Sequence, residues 1–128
     1  MRKVLVFAAI VEIATGLALI VDPAIVARLL LGAELSGVGT AVGRCFGFAL
    51  VGLALACWPG RHKPGLPALR GMLTYNALIA LYLGYQGTVG HQRGLLLWPA
   101  VALHAVVALL LVWTWRGEGE RGVRSLNV

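Results

Sequence analysis

Three residues of this chain can do acid–base or hydrogen-bond chemistry from inside apolar stretches: Glu12, Asn76 and His104. Arg44 is a cation set well inside another such stretch. A charge at the centre of a bilayer costs roughly 3 kcal/mol on insertion scales, so each ionisable residue placed there is a functional candidate. Glu12 offers a proton- or ligand-binding carboxyl, and His104 offers a relay for a proton. Asn76 offers the imidazole a hydrogen bond worth about 0.6–2 kcal/mol. A carboxyl removed from water tends to keep its proton, and a neighbouring guanidinium reverses that tendency. Two readings therefore stand for Glu12 and Arg44: a structural ion pair that fixes helix register, or a functional carboxylate held by the guanidinium. For His104 and Asn76 the pair of readings is a simple interhelical hydrogen bond or a proton path.

Other chemistry is poorly supplied. Ser36 and Ser125 fall outside the apolar runs, and Glu118 and Glu120 belong to a charged tail. No glycine pattern of the phosphate-binding kind precedes a helix. Cys45 and Cys57 are expected on one helix, about 18 Å apart by helical rise, too far to pair. No CxxC occurs, and His62, His91 and His104 are scattered singly, so no metal site, cofactor or catalytic residue is expected.

The elements that must carry these residues follow from composition. The chain has 128 residues, of which 59% are apolar and 12% charged, with a mean hydropathy of +0.86. Soluble domains run near 45–50% apolar and about 25% charged, and a single soluble core of this size could not hide the excess. An all-α integral membrane protein is expected, a four-helix bundle forming one transmembrane domain over 1–128. A spanning helix needs about 20 apolar residues, and four runs qualify: 4–21 with Glu12, 35–58 with Arg44, 66–86 with Arg70 near its start, and 94–115. Between the first two, Asp22-Pro23 gives a helix start and Gly32 a stop. The segment 23–32 is too short to cross and is read as an interfacial helix. The alternative is an extension of the first span bent at Pro23. Pro99 near the start of the fourth span is read as a tolerated kink.

Helical spacing orients the spans. Leu5, Ala8, Ala9, Glu12, Thr15, Gly16 and Leu19 share one face of the first span, and its small residues allow close helix packing. Gly39, Gly43 and Gly47 recur every four residues on the second span, a helix-packing signal that Arg44 borders. Counting helical rise places Glu12, Asn76 and His104 at similar depth. Net charge is +6. With four spans, Arg2, Lys3, Arg61, Lys63, Arg70, Arg116, Arg121 and Arg124 share one side, against Arg28 and Arg93 on the other. The side rich in basic residues is cytoplasmic, so both termini are expected there. Trp58, Trp113 and Trp115 then lie at the inner interface, with Trp98, Tyr82 and Tyr85 at the outer. Basic residues at span ends read as topogenic charge and headgroup contact, not as a nucleic-acid surface. Glu12 within the first apolar run and the lack of an A-x-A site argue that this run is retained. The echo between Gly16-Leu-Ala-Leu and Gly52-Leu-Ala-Leu reflects composition.

Two family resemblances rest on these residues. Gly16-Leu-Ala-Leu with Asp22-Pro23, the connector Leu29-Leu-Leu-Gly32 and the core Gly43-Arg44-Cys-Phe-Gly47 resemble the DoxX-like group of small four-helix bacterial membrane proteins. The likeness covers roughly the first sixty residues and implies a fold and a bacterial cytoplasmic (inner) membrane more than an activity. Some members of that group are similar to subunits of membrane oxidoreductases that deal with quinones. Glu12 followed by Thr15 and Gly16 is also similar to the first helix of the small multidrug-resistance transporters. The extra short helix, Arg44 and the charge bias depart from that second pattern. The expected function is accordingly a non-catalytic accessory subunit, or a binder of a lipid-like or quinone-like molecule; the alternative is a proton-coupled transporter using Glu12. Partners compatible with this are membrane lipids, a hydrophobic small molecule, further copies of the chain or a larger membrane complex, without nucleic acid. Reporter tags fused to the two ends should both report from the cytoplasm, and tags on opposite sides would break the four-span reading.

Overall fold

The computed structural model describes residues 1–60, 65–91 and 94–124, of which 118–124 as backbone alone. Arg61, His62, Lys63, Arg93 and Ser125 lie outside the described residues, as do the side chains of Glu118, Glu120, Arg121 and Arg124. The described residues form helices without strands: α1 (Arg2–Val21), α2 (Pro23–Leu31), α3 (Val38–Ala56), α4 (Leu66–Thr88) and α5 (Leu97–Arg124). Three of them are long and apolar enough to cross a membrane: α1, α3 and the Leu97–Gly117 part of α5. These identify a membrane protein. At 23 residues α4 has the length, but Arg70, Tyr75, Asn76, Tyr82, Tyr85 and Gln86 dilute its apolar character. The helix α5 has 28 residues, so it runs about 42 Å.

Local chemistry sets the breaks. The residue before a proline is pushed out of the helical region, and Asp22, before Pro23, sits at φ −144°. Its Oδ1 accepts from the backbone N–H groups of Ala24 and Ile25, each at 3.1 Å. That cap, with Pro23 at the first helical position, starts α2 as a separate helix and excludes a bent continuation of α1. Gly32 ends α2 in the left-handed region at φ 71°, where its N–H reaches the carbonyl of Arg28 at 3.0 Å. Gly37, at φ 54°, turns the chain into α3. Pro99 falls in the first turn of α5, where its missing N–H has no intrahelical partner to lose, so it breaks no helical bond there.

The long helices pack as two antiparallel pairs, α1 with α3 and α4 with α5, and the pairs meet more lightly along α1. The first pair is close because it crosses at two glycines. A Cβ built on Gly47 would stand 2.6 Å from the Gly16 carbonyl oxygen, and one on Gly16 would stand 2.8 Å from that of Gly47. Further along, a Cβ on Gly43 would meet the Pro23 ring at 2.7 Å. A Cβ on Gly39 would meet Leu35 of the preceding loop at 3.1 Å. The second pair runs from Gly87 against Leu97 and Trp98 to Arg70, whose guanidinium lies 5.9 Å from the Trp115 ring centroid. Where the pairs meet, the seam is filled by Leu5, Ala8, Ala9, Ala54, Cys57, Leu69, Met72, Val107 and Leu111. At the opposite end α2 ties them together. The N–H of Leu96 donates to the Leu29 carbonyl at 2.8 Å, and Gly94 lies against the Leu30 backbone with no room for a side chain.

The α1 face expected to be buried is buried: Leu5, Ala8, Ala9, Glu12, Gly16 and Leu19, with Thr15 half-buried beside them. Gly47→Ala should destabilise the α1–α3 pair by about 1–3 kcal/mol, because backbone rather than a pliable side chain opposes the new methyl. Gly52→Ala, on the same helix with nothing within 4 Å, should stay within about 0.5 kcal/mol. Equilibrium unfolding in mixed detergent micelles compares the two.

Candidate functional site

The middle of the seam is polar. Glu12 from α1, Asn76 from α4 and His104 from α5 are 0%, 1% and 7% exposed. Asn76 is held by its own helix, its Nδ2 donating to the Met72 carbonyl at 2.9 Å. That bond fixes the amide orientation and turns Oδ1 toward His104, whose Nδ1 lies 2.8 Å away. Oδ1 can only accept, so Nδ1 of His104 carries the proton. In the neutral ring Nε2 is then left as an acceptor. The ring of Tyr75, one residue before Asn76, meets the imidazole edge-on, with centroids 5.9 Å apart and planes at 80°. Tyr75 thus confines the imidazole from the side while Asn76 holds it by hydrogen bond.

Glu12 completes the group without being bonded into it. Its Oε1 is 3.8 Å from Nδ1 of His104, beyond hydrogen-bond reach, and that N–H is already given to Asn76. The Tyr75 hydroxyl faces the same carboxyl, again outside hydrogen-bond geometry. Both Glu12 oxygens are therefore buried without a hydrogen bond closed to either. Buried polar atoms are satisfied in the great majority of cases, and an exception calls for an explanation. Chemically the cluster offers a carboxyl with free lone pairs, an imidazole of fixed tautomer, and aromatic and amide walls that hold it in place.

Arg44 does not join this cluster. The packed face of α3 carries Gly47, Leu50 and Ala54 against α1 and Gly43 against Pro23 of α2, and Arg44 follows Gly43 by one residue, about 100° around the helix. It is exposed, and it lies beyond the Gly16–Gly47 crossing toward α2, whereas Glu12 lies on the other side of that crossing. The expected Glu12–Arg44 ion pair is corrected accordingly: the two side chains are separated both around and along the helices. The ion pair present among the described residues joins Arg28 of α2 to Glu34 at 2.9 Å, on the exposed surface. Gly16, Gly43 and Gly47 sit at close helix contacts, and Gly39 packs on the loop before α3. Cys45 and Cys57 are both free. No group of three metal-binding side chains assembles among the described residues.

Sequence reasoning missed Tyr75. The available signal was its place next to Asn76, which puts its ring at the depth of His104. No family model matches the chain, and neither a curated protein nor a solved structure proves similar to it.

A double-mutant cycle on Asn76→Ala and His104→Ala should return a coupling of about 0.6–2 kcal/mol, the range of interhelical hydrogen bonds in membranes. The same cycle on Glu12→Gln and Arg44→Gln should return less than about 0.5 kcal/mol, as for residues that share no partner. Stability of each variant in detergent gives both values.

Proposed function

We propose that the chain is a four-span protein of the bacterial cytoplasmic membrane with both termini in the cytoplasm. In this reading α4 is the third span and α2 lies along the outer interface. The packing of α4 against a helix apolar enough to cross the membrane supports it, as does the crowding of basic residues at one set of span ends. The resemblance of the first sixty residues to the DoxX-like group agrees with this arrangement.

Its proposed role is non-catalytic: it binds the polar head of a lipid-like or quinone-like molecule at the Glu12–His104 cluster, alone or as an accessory subunit of a larger membrane complex. One observation carries this reading. A carboxyl completely buried in the seam, with no hydrogen bond closed to either oxygen and only the Tyr75 hydroxyl and the His104 ring beside it, brings little packing or pairing benefit that an apolar side chain would not exceed. A hydrogen-bonding ligand supplies what the protein withholds.

The nearness of a carboxyl and an imidazole at 3.8 Å favours proton-coupled transport as a second reading. Glu12→Gln distinguishes the possibilities because it keeps shape while removing the ionisable group. For a binding site, the variant should keep its thermal stability and bind a decyl-chain benzoquinol, whose hydroxyl donates to the carboxylate, about tenfold more weakly, because a charge-assisted hydrogen bond is exchanged for a neutral one. Tight binding by the variant would remove Glu12 from the site. If the variant instead abolishes pH-driven ion movement in proteoliposomes that the unmodified protein supports, transport replaces binding.

A further inference from the structure

The lipid-facing side of α1 carries a feature unrelated to the Glu12 cluster. Arg2, Lys3, Val6, Phe7 and Ile10 line an open groove of about 520 Å³ near the start of the helix. Arg2, Val6 and Ile10 follow one another at four-residue spacing, and Lys3 and Phe7 form the parallel row beside them, so the groove runs between two ridges of the same helix. Its residues lie opposite the buried face of Leu5, Ala8, Glu12 and Leu19. Phe7 and Ile10 are about half exposed, and no other helix contributes to the lining.

The groove is graded in chemistry. Two cations stand at its mouth, and only apolar surface follows for the next two helical turns, about 12 Å from Arg2 to Ile10. Neither Arg2 nor Lys3 has a carboxylate within ion-pair distance among the described residues, whereas Arg28 is paired with Glu34 and Arg70 lies over Trp115. A pair of cations above an apolar channel matches an amphiphile with an anionic head and a hydrocarbon tail. Where Arg and Lys meet the membrane surface, anionic lipid is the available partner of that form.

We infer that this groove is a binding site for one anionic phospholipid, its phosphate between Arg2 and Lys3 and its acyl chain along Val6, Phe7 and Ile10. The inference rests on the membrane part of the proposed function and not on the Glu12 site. A diffuse basic surface would attract anionic headgroups without retaining a particular molecule. A graded groove retains both ends, and two separable effects follow. Removing a cation lowers the preference for anionic over zwitterionic headgroups. Removing the apolar wall lowers retention of any lipid and leaves the preference intact.

The test uses the full chain reconstituted in nanodiscs of equal dioleoylphosphatidylglycerol and dioleoylphosphatidylcholine, with the lipids retained on ejected protein counted by native mass spectrometry. Unmodified protein should retain phosphatidylglycerol preferentially. Arg2→Gln and Lys3→Gln should each reduce that preference about fivefold. Phe7→Ala combined with Ile10→Ala should lower total retained lipid at an unchanged headgroup ratio. An unchanged ratio in both charge variants overturns the site. So does a Phe7→Ala, Ile10→Ala protein that retains as much lipid as before, which would leave only diffuse surface attraction. Failure of the unmodified chain to enter nanodiscs overturns the membrane reading together with the site, whereas entry without lipid preference overturns the site alone.

Discussion

The arrangement depends on keeping one carboxyl away from acyl chains. Glu12 sits in the middle of a helix whose other residues from Val4 to Val21 are uncharged, and a lipid-facing position there would be the costliest on the molecule. Shielding it requires that α1 turn the Glu12 face inward. The same face carries Ala8, Ala9 and Gly16, so the demand of the carboxyl and the demand of close packing point in one direction. Once that face is fixed, Gly16 meets Gly47, and α3 has no freedom to rotate without driving backbone into backbone. The second pair then approaches with its own polar positions, Asn76 and His104, against the same depth of α1. Local hydrogen bonding completes their placement, since Met72 orients the amide and the amide orients the imidazole.

Much of this was legible in the sequence, for identifiable reasons. The buried stripe of α1 could be read because a helix repeats every 3.6 residues and the stripe contained Ala8, Ala9, Thr15 and Gly16 beside Glu12. The short helix α2 could be read because Asp22, Pro23 and Gly32 each act on the backbone within a few residues, without tertiary help. The common depth of Glu12, Asn76 and His104 followed from helical rise, whereas their meeting depended on rotations that the sequence reading did not fix. What failed was rotation at Arg44. Depth and a long side chain suggested that it could reach Glu12, but the glycine row beside it decides the angle, and that row puts Arg44 on the outside. Tyr75 escaped notice for a related reason: a tyrosine in a membrane helix is most readily assigned to the interface, and only the rotation of α4 reveals it beside the imidazole. The lower hydropathy of α4 belongs to the same account, because Asn76 and Tyr75, part of its polar content, serve the seam.

The connection between α2 and the start of α5 bears on how the chain is assembled. The pair α1 and α3 contains its glycine crossing within the first half of the sequence, so it can close before the second half has left the ribosome. During that interval Glu12 has neither Asn76 nor His104 beside it. The bond from the Leu96 amide to the Leu29 carbonyl forms only when the last helix begins to be made, and it joins segments distant in sequence. The contact at α2 is therefore a clasp that joins an early hairpin to the helix pair that follows it in the chain.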